Sequence, residues 1–380
     1  MIDMSFSNTV ILYLIVIFLT TFFSALSQRK KVVNNEMIVE YHVFFFALSF
    51  IIHFLVASCN LIGADYENYC WIIKYSNRYL NSSLIEFGFN GLAVILQFVF
   101  DNVNTTYCLI KGLAVIVFYY SFYLMRDKIS LWMAVYAYNT LVFFYFFLLS
   151  MTLASSFMLL SMAYILKNDN KKAILFYIIA CSIHSSCLLI LPAVIMYNII
   201  NRNKITIRST TRLFIIIAYA LISIFSTSIY TFLVNNVSAF KQYSVYGLYS
   251  SSGLGLLFLI RYFPILYMIY VIFNESKDVI LKNSTFVFSL TCILFVLLGY
   301  RFTVVSRMYS HFVSTQMFFI PCFLQSHRKE NLITFGKLTT IEILWGVYMI
   351  VLGTFDIYTV INYPLNRINS YEFYNFFVGG

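Results

Sequence analysis

The sequence predicts an all-α, polytopic integral membrane protein, and three observations support this fold class. Of the 380 residues, 61% are hydrophobic and 11% are charged, whereas soluble domains carry roughly 25% charged residues. The apolar residues form long runs, and a helix needs about 20 of them to cross the hydrocarbon core. Lysines and arginines occur in short clusters between the runs, as in cytoplasmic loops of membrane proteins. This composition excludes a soluble enzyme, a disulfide-stapled secreted domain, a nucleic-acid-binding module and a disordered chain.

Most of the predicted transmembrane helices are single apolar runs between polar segments. Residues 130–166 and 173–200 are each long enough for two short helices. Residues 88–101 are apolar but short, and the even number of crossings between basic clusters predicts a re-entrant or interfacial helix there. If this segment crosses the membrane fully, one basic cluster lies on the wrong side. The single runs lie at 10–27, 41–58, 106–124, 213–233, 255–273, 285–300, 308–324 and 338–355.

The basic clusters set the orientation of these helices, because such clusters favour the cytoplasm. An even number of crossings must therefore separate neighbouring clusters. This parity makes 130–166 and 173–200 hairpins and predicts about twelve crossings (about ten to fourteen), with both termini outside. The clusters are Arg29–Lys31, Arg126/Lys128, Lys167–Lys172, Arg202–Arg212, Lys277/Lys282 and Arg328–Lys337.

The predicted topology makes residues 1–380 one polytopic membrane domain with little mass outside the bilayer. The first apolar run has no basic stretch before it and no small-residue cleavage site, so we expect a transmembrane helix there and not a signal peptide. The segments predicted to lie outside are 59–87, 234–254 and 299–308, together with the tail 356–380.

Aromatic residues of these outer segments are candidate sugar-binding residues. Tyr66 and Tyr69 lie in the first outer segment, and Tyr243 lies in the second. Aromatic ring faces stack on the C–H faces of sugars, which favours a carbohydrate-binding surface. The alternative is an interfacial aromatic belt of the kind found in any membrane protein.

Three arginines lie near the predicted outer leaflet with few acidic residues around them. Arg261 stands in the apolar run LGLLFLIRYFPILYMIY, and Arg301 and Arg307 flank a later outer turn. A membrane-centred arginine costs roughly 2.5–3.5 kcal/mol, and its planar guanidinium binds phosphate through a fork of donors. These residues predict an anionic partner, with snorkelling to lipid head groups as the alternative. His311 shares a helical face with Arg307 if that stretch is helical.

Two carboxylates and one histidine are candidate catalytic residues. Asp65 and Glu86 bracket the first outer segment, and His184 lies at the predicted outer tip of the hairpin 173–200. Each could remove a proton from a sugar hydroxyl as general base. The alternatives are solvated loop charges for the carboxylates and a structural role for the histidine. The sequence has no HExxH, GxSxG or glycine-rich phosphate loop, so we expect chemistry without a metal ion or a cofactor.

Several short motifs follow one another over roughly residues 60–325. They are G-x-D-Y-x-x-Y from Gly63, E-x-G-F from Glu86, a lysine-rich turn at 167–172, I-H-x-S from Ile183 and S-R-M-x-x-[HY]-F from Ser306. Their order resembles that of the EpsG-like family of polysaccharide polymerases. This family is related to the Wzy polymerases of O-antigen and capsular polysaccharide.

The resemblance implies a fold, a reaction and partners. The fold would be GT-C-like and all-α, in the bacterial inner membrane, with the active site facing the periplasm or outer face. The reaction would be an inverting glycosyl transfer, in which a growing glycan leaves its undecaprenyl pyrophosphate for the non-reducing end of the next lipid-linked repeat unit. The partners would be this lipid-linked oligosaccharide, membrane lipid and a chain-length regulator protein.

The candidate residues take roles in this reaction. The three arginines would bind the pyrophosphate and stabilise its charge as it leaves. One of the three candidate bases would deprotonate the acceptor hydroxyl, and the three tyrosines with His311 would contact sugar. In one departure, Ser150 and Met151 stand where the family commonly carries an Arg-Gln pair. If that arginine contacts pyrophosphate, Arg261 or Arg301 takes its place here.

A lipid-linked oligosaccharide flippase is the main alternative function, because it would also have about twelve helices and a basic cavity. Flippases and secondary transporters tend to show two similar halves, and this sequence shows no internal repeat. Its informative charges also cluster at one predicted face. An O-antigen ligase is an alternative of the same class, although a ligase usually has one dominant outer loop.

Overall fold

A computed structural model of the chain consists mainly of helices. The residues that the structure describes are 3–4, 6–33, 36–58, 65–81, 86–143, 149–202, 214–218, 221–222, 225, 228, 231–232, 235–236, 256–291, 294, 317–325, 344–351 and 371–372.

Most of the longer described helices coincide with apolar runs, because a helix satisfies its own backbone hydrogen bonds where water is absent. The shorter helices Tyr66–Lys74 and Ser76–Asn81 lie in the polar segment 59–87. Further helical residues lie at 214–218, 317–325 and 344–351. In chain order the helices are α1 (Phe6–Ser27), α2 (Val43–Ser58), α3 (Tyr66–Lys74), α4 (Ser76–Asn81), α5 (Phe87–Phe100), α6 (Val103–Leu124), α7 (Leu131–Leu141), α8 (Leu149–Leu166), α9 (Asn170–Ile183), α10 (Leu191–Arg202), α11 (Leu256–Glu275) and α12 (Val279–Ser284). The strands are β1 (Asp3–Met4), β2 (Gln28–Val33), β3 (Glu36–Tyr41) and β4 (Tyr371–Glu372).

The helices confirm the predicted all-α class for the part of the chain that is described. Two of these segments, Val103–Met125 and Leu149–Leu166, are long and apolar enough to cross a membrane. Shorter apolar helices include Ile11–Ser27, Val43–Ser58 and Phe263–Glu275. The number of crossings, about twelve, stays a prediction.

Both segments that were expected to hold paired helices contain two helices. α7 and α8 lie within 130–166, and α9 and α10 occupy 170–202. A tight turn separates α8 from α9, and Asn168 in it has a positive φ of 62°. The Asp169 side chain caps α9 by accepting a hydrogen bond from the backbone N–H of Lys172 at 3.2 Å.

The short apolar segment 88–101 forms the separate helix α5. Its 14 residues rise about 21 Å, less than the roughly 30 Å of the hydrocarbon core. The helix ends at Asp101, whose φ of 45° is left-handed. Asn102 then caps α6 by accepting a hydrogen bond from the Thr105 N–H at 3.0 Å. The length suits a re-entrant or interfacial helix, and its depth in a bilayer stays a prediction.

A β-hairpin stands where the sequence predicted only a basic loop. Strands β2 and β3 pair antiparallel in this hairpin, and β1 pairs with β4 over two residues. Gln28 anchors the hairpin, because its Nε2 donates to the backbone carbonyls of Arg126 and Ile129, both at 2.9 Å. Apolar-run analysis missed the hairpin because strand pairing satisfies backbone groups without requiring apolar side chains.

A buried polar network joins α1, α2, α6 and α7, and we call its five residues Thr20, Ser49, His53, Tyr119 and Asn139 the His53 network. Each member is at most 3% exposed. His53 Nε2 lies 2.6 Å from Asn139 Oδ1, and His53 Nδ1 lies 2.5 Å from Tyr119 Oη. Asn139 Nδ2 donates to Thr20 Oγ1 at 3.0 Å, and Ser49 Oγ lies 2.7 Å from Tyr119 Oη. These bonds hold the helices together inside an apolar core.

The chain divides into two compact units. The first comprises Met1–Leu188 and Ile320–Gly380, and the second comprises Leu189–Phe319. In the second unit, α10 and α11 each pack against α12, and the ring of Tyr197 lies 5.7 Å from that of Phe288. The expectation of one membrane domain over the whole chain stays a prediction.

Candidate functional site

The candidate site is built around a contact between two of the predicted catalytic residues. His184 Nδ1 contacts Glu86 Oε1 in the first unit. Glu86 immediately precedes α5, with a left-handed φ of 59°. His184 immediately follows α9 in extended conformation, and its backbone N–H still bonds to the carbonyl of Ala180 at 3.0 Å. Residues 98 positions apart in sequence therefore meet where two helices end.

Gly88 allows this meeting, because α5 and α9 approach each other closely there. A Cβ atom placed on Gly88 would lie 2.9 Å from the backbone carbonyl carbon of Ser182. Real Cβ atoms do not approach backbone so closely. Ser182 lies two residues before His184 and Gly88 two residues after Glu86, so the close approach of α5 and α9 lies next to the contact between Glu86 and His184.

Two further side chains complete the site from α3 and α8. Ser150 Oγ lies 3.3 Å from Glu86 Oε1, and Tyr69 Oη lies 3.1 Å from Ser150 Oγ. The backbone N–H of Ser150 donates to Tyr69 Oη at 3.3 Å. We call the four residues Tyr69, Glu86, Ser150 and His184 the Glu86–His184 cluster.

Hydrogen-bond chemistry fixes the direction of each bond when Glu86 is ionised. A carboxylate oxygen only accepts, so Ser150 and His184 Nδ1 both donate to Glu86 Oε1. The Ser150 hydroxyl has one proton, so Tyr69 must donate to Ser150 Oγ. A histidine that donates through Nδ1 keeps Nε2 as its basic nitrogen.

Tyr69 is suited to donating because it stays protonated. Burial raises the pKa of the Tyr69 hydroxyl well above its ordinary value, and the nearby charge of Glu86 raises it further. Tyr69 is 8% exposed, and its ring packs edge-on against Phe89 with centroids 5.7 Å apart. This burial leaves little of the Tyr69 ring available for the expected stacking on a sugar, which stays a prediction.

Glu86 and His184 are more exposed than Tyr69 and Ser150. The side chains of His184 and Glu86 are 25% and 14% exposed, whereas Ser150 is 2% and Tyr69 8% exposed. A small molecule can therefore reach the Glu86–His184 pair more easily than it can reach Tyr69 or Ser150.

Asp65 and Tyr66 lie beside the cluster, at the beginning of α3. The Asp65 carbonyl accepts from the Tyr69 N–H at 2.9 Å, and the Asp65 charge contributes to the raised pKa of Tyr69. Tyr66 is half-buried, and its hydroxyl donates to Asn104 Oδ1 at 2.6 Å. Tyr66 keeps its prediction as a sugar contact, because part of its ring remains exposed.

The structure describes none of the side chains of the other predicted site residues. Arg261 belongs to α11 of the second unit, but its side chain is not among those described. Arg301, Arg307, His311 and Tyr243 lie outside the described residues altogether. Their proposed roles stay predictions.

Among the described residues, no group of three or more histidine, cysteine, aspartate or glutamate side chains has the arrangement of a metal site. Sequence reasoning missed the contact of Ser150 with Glu86. No pattern near Ser150 indicates it, because a serine in an apolar helix most often bonds to its own helix and Glu86 lies 64 positions away.

Comparison with known proteins identifies the family. No curated protein and no solved structure matches the chain. The family model described as "EpsG family" matches residues 42–373, which is most of the chain and includes the whole Glu86–His184 cluster. The chain therefore belongs to the EpsG family, a family of Wzy-type, polysaccharide-polymerase-like membrane proteins.

Proposed function

We propose that this protein is a membrane polysaccharide polymerase that joins undecaprenyl-pyrophosphate-linked oligosaccharide repeat units. Membership of the EpsG family supports a polymerase-like activity. The observation that carries the proposal is the contact between Glu86 and His184, because it supplies the general base that glycosyl transfer to a hydroxyl requires.

Glu86 and His184 take different roles, as in other carboxylate–histidine sites. Glu86 accepts from Nδ1–H of His184, which orients the imidazole and leaves Nε2 as the base. When His184 takes up a proton, the carboxylate stabilises the imidazolium. Of the three candidate bases, we therefore assign the proton transfer to His184 and the orienting role to Glu86.

The proposed reaction balances without a cofactor. His184 Nε2 takes the proton of a hydroxyl on the non-reducing sugar of the acceptor unit. That oxygen attacks the anomeric carbon of the growing glycan as the bond from this carbon to the pyrophosphate oxygen breaks. Undecaprenyl pyrophosphate leaves with the electron pair, and back-side attack inverts the anomeric centre. The imidazolium then returns its proton to solvent.

The leaving pyrophosphate requires fixed positive charge, because its developing negative charge must be stabilised in the transition state. Arg261, Arg301 and Arg307 are the proposed ligands, since guanidinium groups bind phosphate through two parallel donors. The proposed location is the outer face of the bacterial inner membrane, where lipid-linked units and membrane lipid meet the protein. A chain-length regulator protein is a further proposed partner.

The test is product analysis with purified protein in liposomes, given synthetic undecaprenyl-pyrophosphate repeat units. We expect a ladder of extended glycans. Glu86→Gln removes the carboxylate that orients His184 and stabilises its imidazolium, so it should slow extension strongly, and Arg307→Ala should abolish the ladder. If the unit crosses the bilayer without being extended, the protein is a flippase and the proposal is wrong.

A further inference from the structure

We propose that Ser150 and Tyr69 are positioning residues that hold Glu86 in the orientation His184 needs. This inference rests on the proposed function of the Glu86–His184 cluster and adds two residues to it. Both residues are buried, since Ser150 is 2% and Tyr69 8% exposed. They therefore act through Glu86 and do not contact the substrate.

The Glu86 carboxylate needs a second hydrogen-bond donor because Glu86 lies outside a regular helix. It immediately precedes α5, with a left-handed backbone that non-glycine residues seldom adopt. A carboxylate held by His184 alone can rotate about its terminal side-chain bond. The Ser150 hydroxyl binds the same Oε1 atom from a different helix, at 3.3 Å, and this second donor fixes the oxygen in place.

Ser150 is itself held by a reciprocal pair of bonds with Tyr69. Its N–H donates to Tyr69 Oη, and its Oγ accepts from the Tyr69 hydroxyl, at 3.3 and 3.1 Å. Because Ser150 Oγ accepts a proton from Tyr69, the remaining partner of the Ser150 hydroxyl proton is Glu86 Oε1. The chain of donors thus runs from Tyr69 through Ser150 to Glu86.

Another hydroxyl of the same helix shows how Ser150 differs from an ordinary helix serine. Ser156 is also buried on α8, but its Oγ donates to the carbonyl of Leu153 at 2.7 Å, within its own helix. Such a bond satisfies the hydroxyl locally. Ser156→Ala is therefore the matched control for Ser150→Ala.

A control also exists for Tyr69. Tyr107 is fully buried, and its hydroxyl has no hydrogen-bond partner among the described residues. Tyr107→Phe therefore removes the same atom as Tyr69→Phe without breaking a described bond.

The experiment measures the kcat and KM of glycan extension for these variants. Ser150→Ala and Tyr69→Phe should each lower kcat about tenfold, the effect of losing one hydrogen bond to a charged group or its support. KM should change by less than about twofold, because neither residue contacts substrate. Ser150→Thr, which keeps the hydroxyl, should restore most of the rate, and Ser156→Ala and Tyr107→Phe should match the wild type.

Double variants decide whether the effect passes through Glu86. Tyr69→Phe should add nothing to Ser150→Ala, and Ser150→Ala should add nothing to Glu86→Gln, since residues acting in one chain are not additive. Full additivity, or an equal loss of kcat in the Ser156→Ala control, would overturn the positioning role.

A measurement that does not depend on activity separates this inference from the proposed function. Nitrogen-15 NMR of histidine-labelled protein reports which ring nitrogen of His184 carries the proton, with His184→Gln used for assignment. In the wild type we expect the Nδ1–H form, and in Ser150→Ala a mixture of both tautomers. If the wild type extends no glycan, the proposed function fails; unchanged His184 signals in Ser150→Ala overturn the positioning role in either case.

Discussion

His53 and His184 both belong to hydrogen-bonded clusters of polar side chains, but His53 is buried and His184 is partly exposed to solvent. His53 lies in the His53 network, bonded through both ring nitrogens to Asn139 and Tyr119. His184 lies in the Glu86–His184 cluster, bonded through Nδ1 to Glu86. Both sites combine an imidazole with hydroxyl groups from other helices. They differ in one carboxylate and in access to solvent.

Each difference has a chemical consequence. In the His53 network, the Thr20 hydroxyl donates to the Val16 carbonyl at 2.7 Å, so the Asn139 amide must donate to Thr20 and present its oxygen to His53. Both imidazole nitrogens are then used, and His53 is 0% exposed. A histidine whose two ring nitrogens are both bonded inside a sealed core stabilises the fold, whereas a partly exposed histidine beside a carboxylate is suited to proton transfer.

Of the two histidines, His184 should have the larger effect on activity when it is replaced. His184→Gln removes the proposed base, so kcat should fall about 10²–10⁴-fold, while the melting temperature should change little because the side chain is partly exposed. Extension assays and thermal unfolding in detergent check both quantities. A marked loss of stability would place His184 in the same class as His53 and remove the contrast.

Replacing His53 should have the opposite pattern. His53→Ala removes the partner of Asn139 Oδ1 and one of the two partners of Tyr119 Oη in an apolar core, which should cost about 3 kcal/mol of stability. The kcat of the protein that still folds should be unchanged. Replacing both partners, as in His53→Leu with Asn139→Leu, should recover part of the stability, since matched apolar groups leave fewer polar atoms unpaired.

Crowding the contact between α5 and α9 should affect both stability and activity. Gly88→Ala places a Cβ against Ser182, which should cost about 1–3 kcal/mol and slow extension by moving Glu86 away from His184. Gly91→Ala is the control on the same helix, because its Cβ would meet only Leu80 Cδ1 at 3.9 Å. Equal behaviour of the two variants would show that the Gly88 contact does not set the distance.

The smallest expected effect lies at the other end of α9. Asp169→Ala removes the side-chain cap and should lower the melting temperature slightly without changing kcat, while Asp169→Asn should keep the cap. The hydrogen bond from the Lys172 N–H lowers the pKa of Asp169. The stabilisation that the Asp169 carboxylate provides is therefore fully present above the pKa that Asp169 has in the unfolded chain. It is lost as the pH falls through the lower pKa that Asp169 has in the folded protein. Unfolding of both variants at neutral and acidic pH checks this.

Hydropathy predicted much of the fold, because lipid-compatible helices need long apolar runs. The lengths of the apolar runs predict both the paired helices within 130–166 and the separate short helix at 88–101. The hairpin of β2 and β3 was not, since Gln28 anchors it through backbone carbonyls that carry no sequence signal.

The candidate site was predicted only in part. Glu86 and His184 were found because an ionisable residue beside an apolar run requires a reason. Ser150 was missed as a contact of Glu86, because a hydroxyl costs little in a helix and gives no periodic signal. Its role becomes visible only when α3, α5 and α8 are assembled.

The glycine at position 88 also gives an expectation for other members of this family. A chain that brings a glutamate and a histidine together in this way must pass one backbone against another where Gly88 lies. We therefore expect a larger residue at that position to mark a homologue in which the two ionisable groups have separated. Such a chain would need its proton acceptor elsewhere, and the position is a simple criterion for sorting sequences before any of them is expressed.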